Sequence, residues 1–143
     1  MARPSVMTKV LSVGLLLVLS SFRADNKSHQ LKDILFELNS GKLSDNQISE
    51  LKIIIKTIRE SLADGTEKTF TLWINGNADP SEHNTKQLSL NRAKTIRAQL
   101  LKLGLTEGTL IAKGYGAKRP LTNSDTDESR RRNARVDFKI KLE

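Results

Sequence analysis

Between Asn75 and Ala93 the chain reads NGNADPSEHNTKQLSLNRA, and two of its charged residues are of the types that hold a dipolar ligand. The carboxylate of Asp79 can take an ammonium group. Arg92, thirteen positions later, carries a planar guanidinium that takes a carboxylate in a forked contact. If Ser89 caps the helix that follows, Arg92 falls in its first turn, where the helix dipole disfavours a cation by a few tenths to about 1 kcal/mol. An acid is therefore expected beside it, and Asp79 lies on the loop that leads into this helix. Exposed backbone N–H groups at the helix start add affinity for an anion. Two readings compete at this point. One is a receptor for a zwitterionic centre; the other is an Asp79 that caps a turn before Pro80 and an Arg92 that is solvated or weakly paired, worth about 0 to 1 kcal/mol. A helix start near Asn84 removes the dipole argument altogether.

The elements that must position these residues follow from periodicity. DILFEL alternates Ile34, Phe36 and Leu38 with Asp33, Leu35 and Glu37, which predicts a first strand. Ser44 and Gln47 have capping-box spacing, and Ile48, Leu51, Ile55, Ile58 and Leu62 then recur at helical steps, with a stop expected at a left-handed Gly65. FTLWIN predicts a second strand with Phe70, Leu72 and Ile74 on one face and Thr71 and Trp73 on the other. Ala93, Ile96, Leu100 and Leu103 predict a second helix ending at Gly104. LIAKGYG is a third strand, TNSDTDESRRRN a charged connection with room for a helical turn, and RVDFKIKLE a last strand with one dry and one wet face. The expected fold class is α/β (α+β): a two-layer sandwich of βαβαβ type, its mixed sheet covered by helices on one face.

At 143 residues there is room for one domain. Residues 1–24 read as a secretory signal: Arg3 and Lys9 precede the apolar run Val10–Phe22, too short for the roughly 20 residues a membrane-crossing helix requires. Residues 25–31 form a short polar linker and 32–143 the domain, with an uncleaved signal acting as an anchor as the competing reading. Loss of Arg3, Lys9 and Arg23 lowers the basic count from 24 to 21 against 16 acids, so the net charge falls from +8 to +5. With no cysteine, disulfides and a lipid-modified N-terminus are both excluded, and stability must come from the core.

The charge suits anionic envelope polymers. Nucleic acid is disfavoured by export, by few aromatics, and by Asp125, Asp127 and Glu128 just upstream of SRRRNAR. His29 and His83 are the only histidines, and no triad, metal or glycosidase spacing stands out, so neither an enzyme nor a cofactor or metal site is expected. Trp73 is either exposed as part of a partner surface or half covered by long neighbouring side chains.

Five segments in fixed order, ILFELNSGKLS, NGNAD, LSLNRA, GYGAKRP and RRRNARVDFKI, resemble the OmpA-like peptidoglycan-associated domain shared by outer-membrane OmpA, the lipoprotein Pal and the stator protein MotB. The resemblance spans about 110 residues. It implies a periplasmic module, associated with the cell wall or outer membrane, that binds the stem peptide of peptidoglycan non-covalently and clasps diaminopimelate between an aspartate and an arginine. These fall on Asp79 and Arg92. Ala78, Asn84, Thr85 and Glu37 complete the implied binding set, with Asn133 and Arg135 supporting it; Glu37 has a solvent-facing strand position as its competing reading. The chain departs from the family pattern at Asn77, where a histidine is usual, in a loop after Asp79 that is a couple of residues shorter, at Thr85, where an asparagine is usual, and at Ala134. The expected role is to anchor an envelope assembly to the wall, with other envelope proteins as partners. The rival is a structural subunit of an envelope machine that keeps the fold as a protein–protein scaffold without wall binding.

Overall fold

The computed structural model describes residues 30–143. The predicted signal and His29 lie outside the described residues. Leu31, near the start of the described residues, already packs in the core.

Among the described residues seven elements follow in order: β1 (Ile34–Leu35), α1 (Asp45–Asp64), β2 (Phe70–Gly76), α2 (Thr85–Lys102), β3 (Thr109–Gly114), α3 (Asp127–Asn133) and β4 (Arg135–Leu142). One four-stranded sheet has the order β1-β4-β2-β3. Strand β4 is antiparallel to both β1 and β2, while β2 and β3 are parallel and joined by the crossover through α2. This is the mixed, two-layer arrangement the periodicity predicts.

Helix α1 starts where the capping box places it. Ser44 accepts from the Gln47 N–H at 3.3 Å, and the Gln47 side chain accepts from the Ser44 N–H in return. Leu51, Ile54, Ile55 and Ile58 turn inward to meet Phe70, Leu72 and Ile74 of β2, Val136 of β4, and Ala93, Ile96 and Leu100 of α2. Gly65 closes α1 with φ −114°, in extended rather than left-handed backbone.

Strand β1 is only two residues long, shorter than the alternation over DILFEL suggests. Its partner runs out: Ile34 and Leu35 pair with Val136 and Arg135, the Phe36 N–H reaches Ala134 O at 2.8 Å, and before Ala134 the partner chain is helical. Beyond that point Asn39 takes φ 58° and turns the chain away.

A larger difference concerns α2. Its first turn is closed by the Leu88 N–H donating to Asn84 O at 2.8 Å, so Asn84, with left-handed φ 46°, is the cap, and Arg92 lies about two turns inside the helix. Ser89 is buried mid-helix, where its hydroxyl donates to Lys86 O and accepts from the Gly116 N–H. The dipole rationale for an acid beside Arg92 therefore does not hold, although an acid is there for another reason.

Helix α2 lies directly on the ends of β2 and β3. A Cβ added at Gly76 would stand 1.7 Å from Ser89 O, and one at Gly114 would stand 2.6 Å from the Leu90 N. Both glycines are required by close approach. Gly76→Ala is expected to push α2 off the sheet and to destabilise the protein by about 1–3 kcal/mol or more, measured as a fall in the urea midpoint with an unchanged m-value.

Candidate functional site

The loop from Asn77 to Asn84 leaves β2 at the end of the sheet where α2 begins. Its position is fixed by backbone bonds to two other segments: the Asn77 N–H donates to Arg135 O and the Ala78 N–H to Gly116 O, both at 2.9 Å. Within it, the Glu82 N–H closes a turn onto Asp79 O at 3.0 Å.

Arg92 is fully buried, and all five of its N–H donors are used. Nε donates to Ser40 O at 2.9 Å; Nη1 donates to Asn77 O at 3.0 Å and Glu82 Oε1 at 2.9 Å; Nη2 donates to Glu37 O at 3.1 Å and Glu82 Oε2 at 2.5 Å. The guanidinium also lies 5.3 Å from the centre of the Phe36 ring.

The partner carboxylate is equally committed. Oε1 of Glu82 accepts from the Asp79 N–H at 2.8 Å as well as from Arg92, and Oε2 accepts from the Asn39 N–H at 2.6 Å as well as from Arg92. All four acceptor sites and all five donors are used, with neither side chain exposed. Such a pair is tolerated in a dry interior only because every lone pair and proton is used.

Arg92 and Asp79 therefore do not form the two jaws expected from the sequence. Glu82 occupies the forked seat on Arg92, and Asp79 meets that carboxylate through its backbone N–H rather than its side chain. The side chain of Asp79 turns the other way. Oδ2 accepts from the Ser81 N–H at 2.9 Å and from the Ser81 hydroxyl at 2.5 Å, and Oδ1 accepts from Asn133 Nδ2 at 2.8 Å. Burial alone would raise its pKa, but these bonds from Ser81 and Asn133, with the Arg130 charge beyond them, hold it below the ordinary 3.8.

On that side is a groove of about 390 Å³ whose walls include Asp79, Ser81, Thr122, Arg130 and Asn133. Arg130, a quarter exposed, is held by Asp125 and Asp127, each at 2.6 Å. Helix α3, capped by Thr126 through the Ser129 N–H, presents both Arg130 and Asn133. An acid and a cation thus face one groove, but the cation is Arg130.

The other implied residues divide clearly. Asn133 supports Asp79 directly, and its Oδ1 also accepts from the Leu121 N–H at 2.8 Å, fixing the far wall of the groove. Ala78 is buried and acts through its backbone. The side chain of Glu37 is exposed, and only its carbonyl joins the cluster. Asn84 and Thr85 sit at the start of α2 and line a separate groove with Lys86 and Gln87, away from Asp79. Arg135 lies on the opposite face of the sheet, 3.5 Å from Asp137 and 3.7 Å from Asp33.

Sequence reasoning missed Glu82 and Arg130. Glu82 was signalled by the shortened loop, which places a second acid nearer to Arg92 in the chain than Asp79. Arg130 sits in the basic tract whose charge Asp125, Asp127 and Glu128 were expected to offset.

Glu82→Ala leaves the buried Arg92 fork without its counter-charge and is expected to reduce stability by about 3–5 kcal/mol, read from urea unfolding. Asp79 has a folded-state pKa lowered from 3.8, so its contribution is complete above that value and is lost as pH falls through the lower folded one. The stability difference between wild type and Asp79→Asn, from urea melts at successive pH values, should accordingly shrink on acidification below pH 3.8.

Residues 35–134 match the model of the OmpA family. Outer membrane porin F of Pseudomonas aeruginosa is 25% identical over 114 residues, which cover 78% of this chain and 31% of that protein. The chain thus spans about a third of the porin's length. Among solved structures, the C-terminal domain of Helicobacter pylori MotB superposes with a TM-score of 0.66 at 20% identity, covering 78% of this chain and 86% of that one. The peptidoglycan-associated lipoprotein of Burkholderia pseudomallei superposes with a TM-score of 0.65 at 20% identity, covering 77% and 90%. With a family match over most of its length, this chain belongs to the OmpA family.

Proposed function

We propose that this protein is a cell-envelope component that binds peptidoglycan non-covalently through the groove at Asp79, as a binding module rather than an enzyme. The observation that carries this reading is that Asp79, its carboxylate held by Ser81 and Asn133, lines one open groove with Arg130, whose guanidinium has donors beyond the two that Asp125 and Asp127 take. Such a site takes an ammonium group on the aspartate and a carboxylate on the guanidinium, the two charges of one amino-acid centre. The free centre of diaminopimelate in a wall stem peptide has that form. The likeness in fold to a protein named peptidoglycan-associated lipoprotein supports the same reading, and with it a periplasmic location.

In this scheme Arg92 holds the loop and Asp79 meets the ligand. The Glu82–Arg92 pair fixes the Asp79 backbone from below, while Ser81 and Asn133 aim its carboxylate. A second reading, a scaffold subunit of an envelope complex that does not touch the wall, is favoured by one observation: the arginine that the family resemblance assigns to the ligand has no donor left for it.

Co-sedimentation with purified sacculi separates the two. Wild type should pellet with the wall, Asp79→Asn and Arg130→Gln should each weaken retention by about tenfold, equivalent to about 1.4 kcal/mol, and free meso-diaminopimelate should compete where lysine does not. Retention that is absent in wild type, or unchanged in both variants, rejects wall binding by this groove and leaves the scaffold.

A further inference from the structure

The sheet face turned away from the helices carries a second feature, unconnected with the Asp79 groove. Register places Trp73 of β2 between Ile111 of β3 and Lys139 of β4, and places Asn75 between Lys113 and Asp137. Tyr115 follows at the end of β3, its N–H donating to Gly76 O at 3.0 Å. These rows, with Arg119, line a groove of about 480 Å³. From the Trp73 row to the Tyr115 row is about four residues, or about 13 Å along the strands.

The charge in this groove is unbalanced. Among the described residues no carboxylate lies within ion-pair distance of Lys113, Arg119 or Lys139. The one acid in the lining, Asp137, is turned to its neighbours: Oδ1 accepts from Asn75 Nδ2 at 3.0 Å, Oδ2 accepts from Asn77 Nδ2 at 2.9 Å, and Arg135 Nη2 stands 3.5 Å away. Arg135 adds a fourth cation beside the groove. It is 4% exposed, its Nη2 donates to Arg119 O at 3.2 Å, and its Nε and Nη1 make no hydrogen bond. Burial pushes the Arg135 pKa down, and the Arg119 charge pushes the same way against Asp137 and Asp33.

Three cations without an acid partner, with Arg135 and its two acids beside them, form an anion site, because each is repelled by the others until an anion enters. The aromatic residues set its geometry. Arg119 lies 4.4 Å from the centre of the Tyr115 ring and Lys139 lies 5.6 Å from that of Trp73, so each ring holds a cation along the groove wall. Those ring faces are covered, which removes the free stacking platform a single-stranded nucleic acid needs. Cations at both ends and in the middle suit an extended polymer with acids at intervals better than a single small ion.

We propose that this groove is a second binding site, for an acidic glycan strand whose carboxylates are met by Lys113, Arg119 and Lys139. The choice of a glycan rests on the envelope placement proposed above; the anion site rests on the side chains themselves.

The test uses glycan strands released from sacculi by an amidase, which frees their lactyl carboxylates, with poly-glutamate and an oligo-thymidylate as parallel probes. Wild type is expected to bind the strands with an affinity that falls as salt rises. Lys113→Gln with Arg119→Gln, both at exposed positions, should weaken that binding at least tenfold while circular dichroism and urea melts stay unchanged. Free meso-diaminopimelate should not displace the strands. No strand binding, strand binding unaffected by the double substitution, displacement by diaminopimelate, or equal binding of poly-glutamate or oligo-thymidylate would each overturn the proposal. If sacculus binding survives Asp79→Asn while strand binding requires Lys113 and Arg119, the Asp79 reading fails and this one stands.

Discussion

One buried ion pair determines the architecture around the loop. Arg92 and Glu82 share two hydrogen bonds, and through the carbonyls of Glu37, Ser40 and Asn77 and the N–H groups of Asn39 and Asp79 they tie the β1–α1 connection, the end of β2 and the 79–84 loop to α2. No hydrophobic contact could do this, since these backbone groups are polar and out of water and each requires a partner. The pair need not add much net stability, because desolvating two charges offsets much of their attraction. What it supplies is a unique position for the Asp79 backbone.

The direction of Asp79 follows from that constraint. With its N–H held by Glu82 on one side, its carboxylate accepts from Ser81 of its own loop and faces α3, where Asn133 donates to it and Arg130 stands beyond. These bonds outweigh burial, which by itself would raise the Asp79 pKa, and hold it below the ordinary value. Two opposite charges still border one groove, as an amino-acid receptor requires, but one of them comes from α3 and not from α2.

The sheet divides the molecule chemically. On one face Leu72, Ile74, Val136 and Phe70 meet two helices, and Gly76 and Gly114 let α2 approach the strands closely. On the other, the alternate residues of the same strands carry Asn75, Asp137, Lys113 and Lys139. Trp73 lies on this second face, half-buried, with Lys139 over its ring, matching the reading in which a long neighbour covers it. Period-two alternation makes both faces from one set of strands, and a shift of one residue in register would exchange them.

Much of the fold was legible in the sequence because its signals are local. Ser44 and Gln47 announce α1 by a bond that spans three residues, and Val136, Phe138 and Ile140 announce a half-buried strand by alternation alone. The importance of Asp79 and Arg92 was legible too, through the segments that resemble the OmpA family. Their partners were not. Which acid reaches Arg92 depends on how a loop shortened by a couple of residues turns, and the turn is fixed by Asn39, far away in the chain, accepting from the His83 N–H and donating to Glu82. The start of α2 at Asn84 rather than Ser89, the short β1 and the meeting of Asp79 with Arg130 have the same origin. The sequence determined which segments become helix and strand and which face of each is dry. Only the tertiary structure decided which charges pair, because a hydrogen bond between remote residues is selected by where packing brings their backbones.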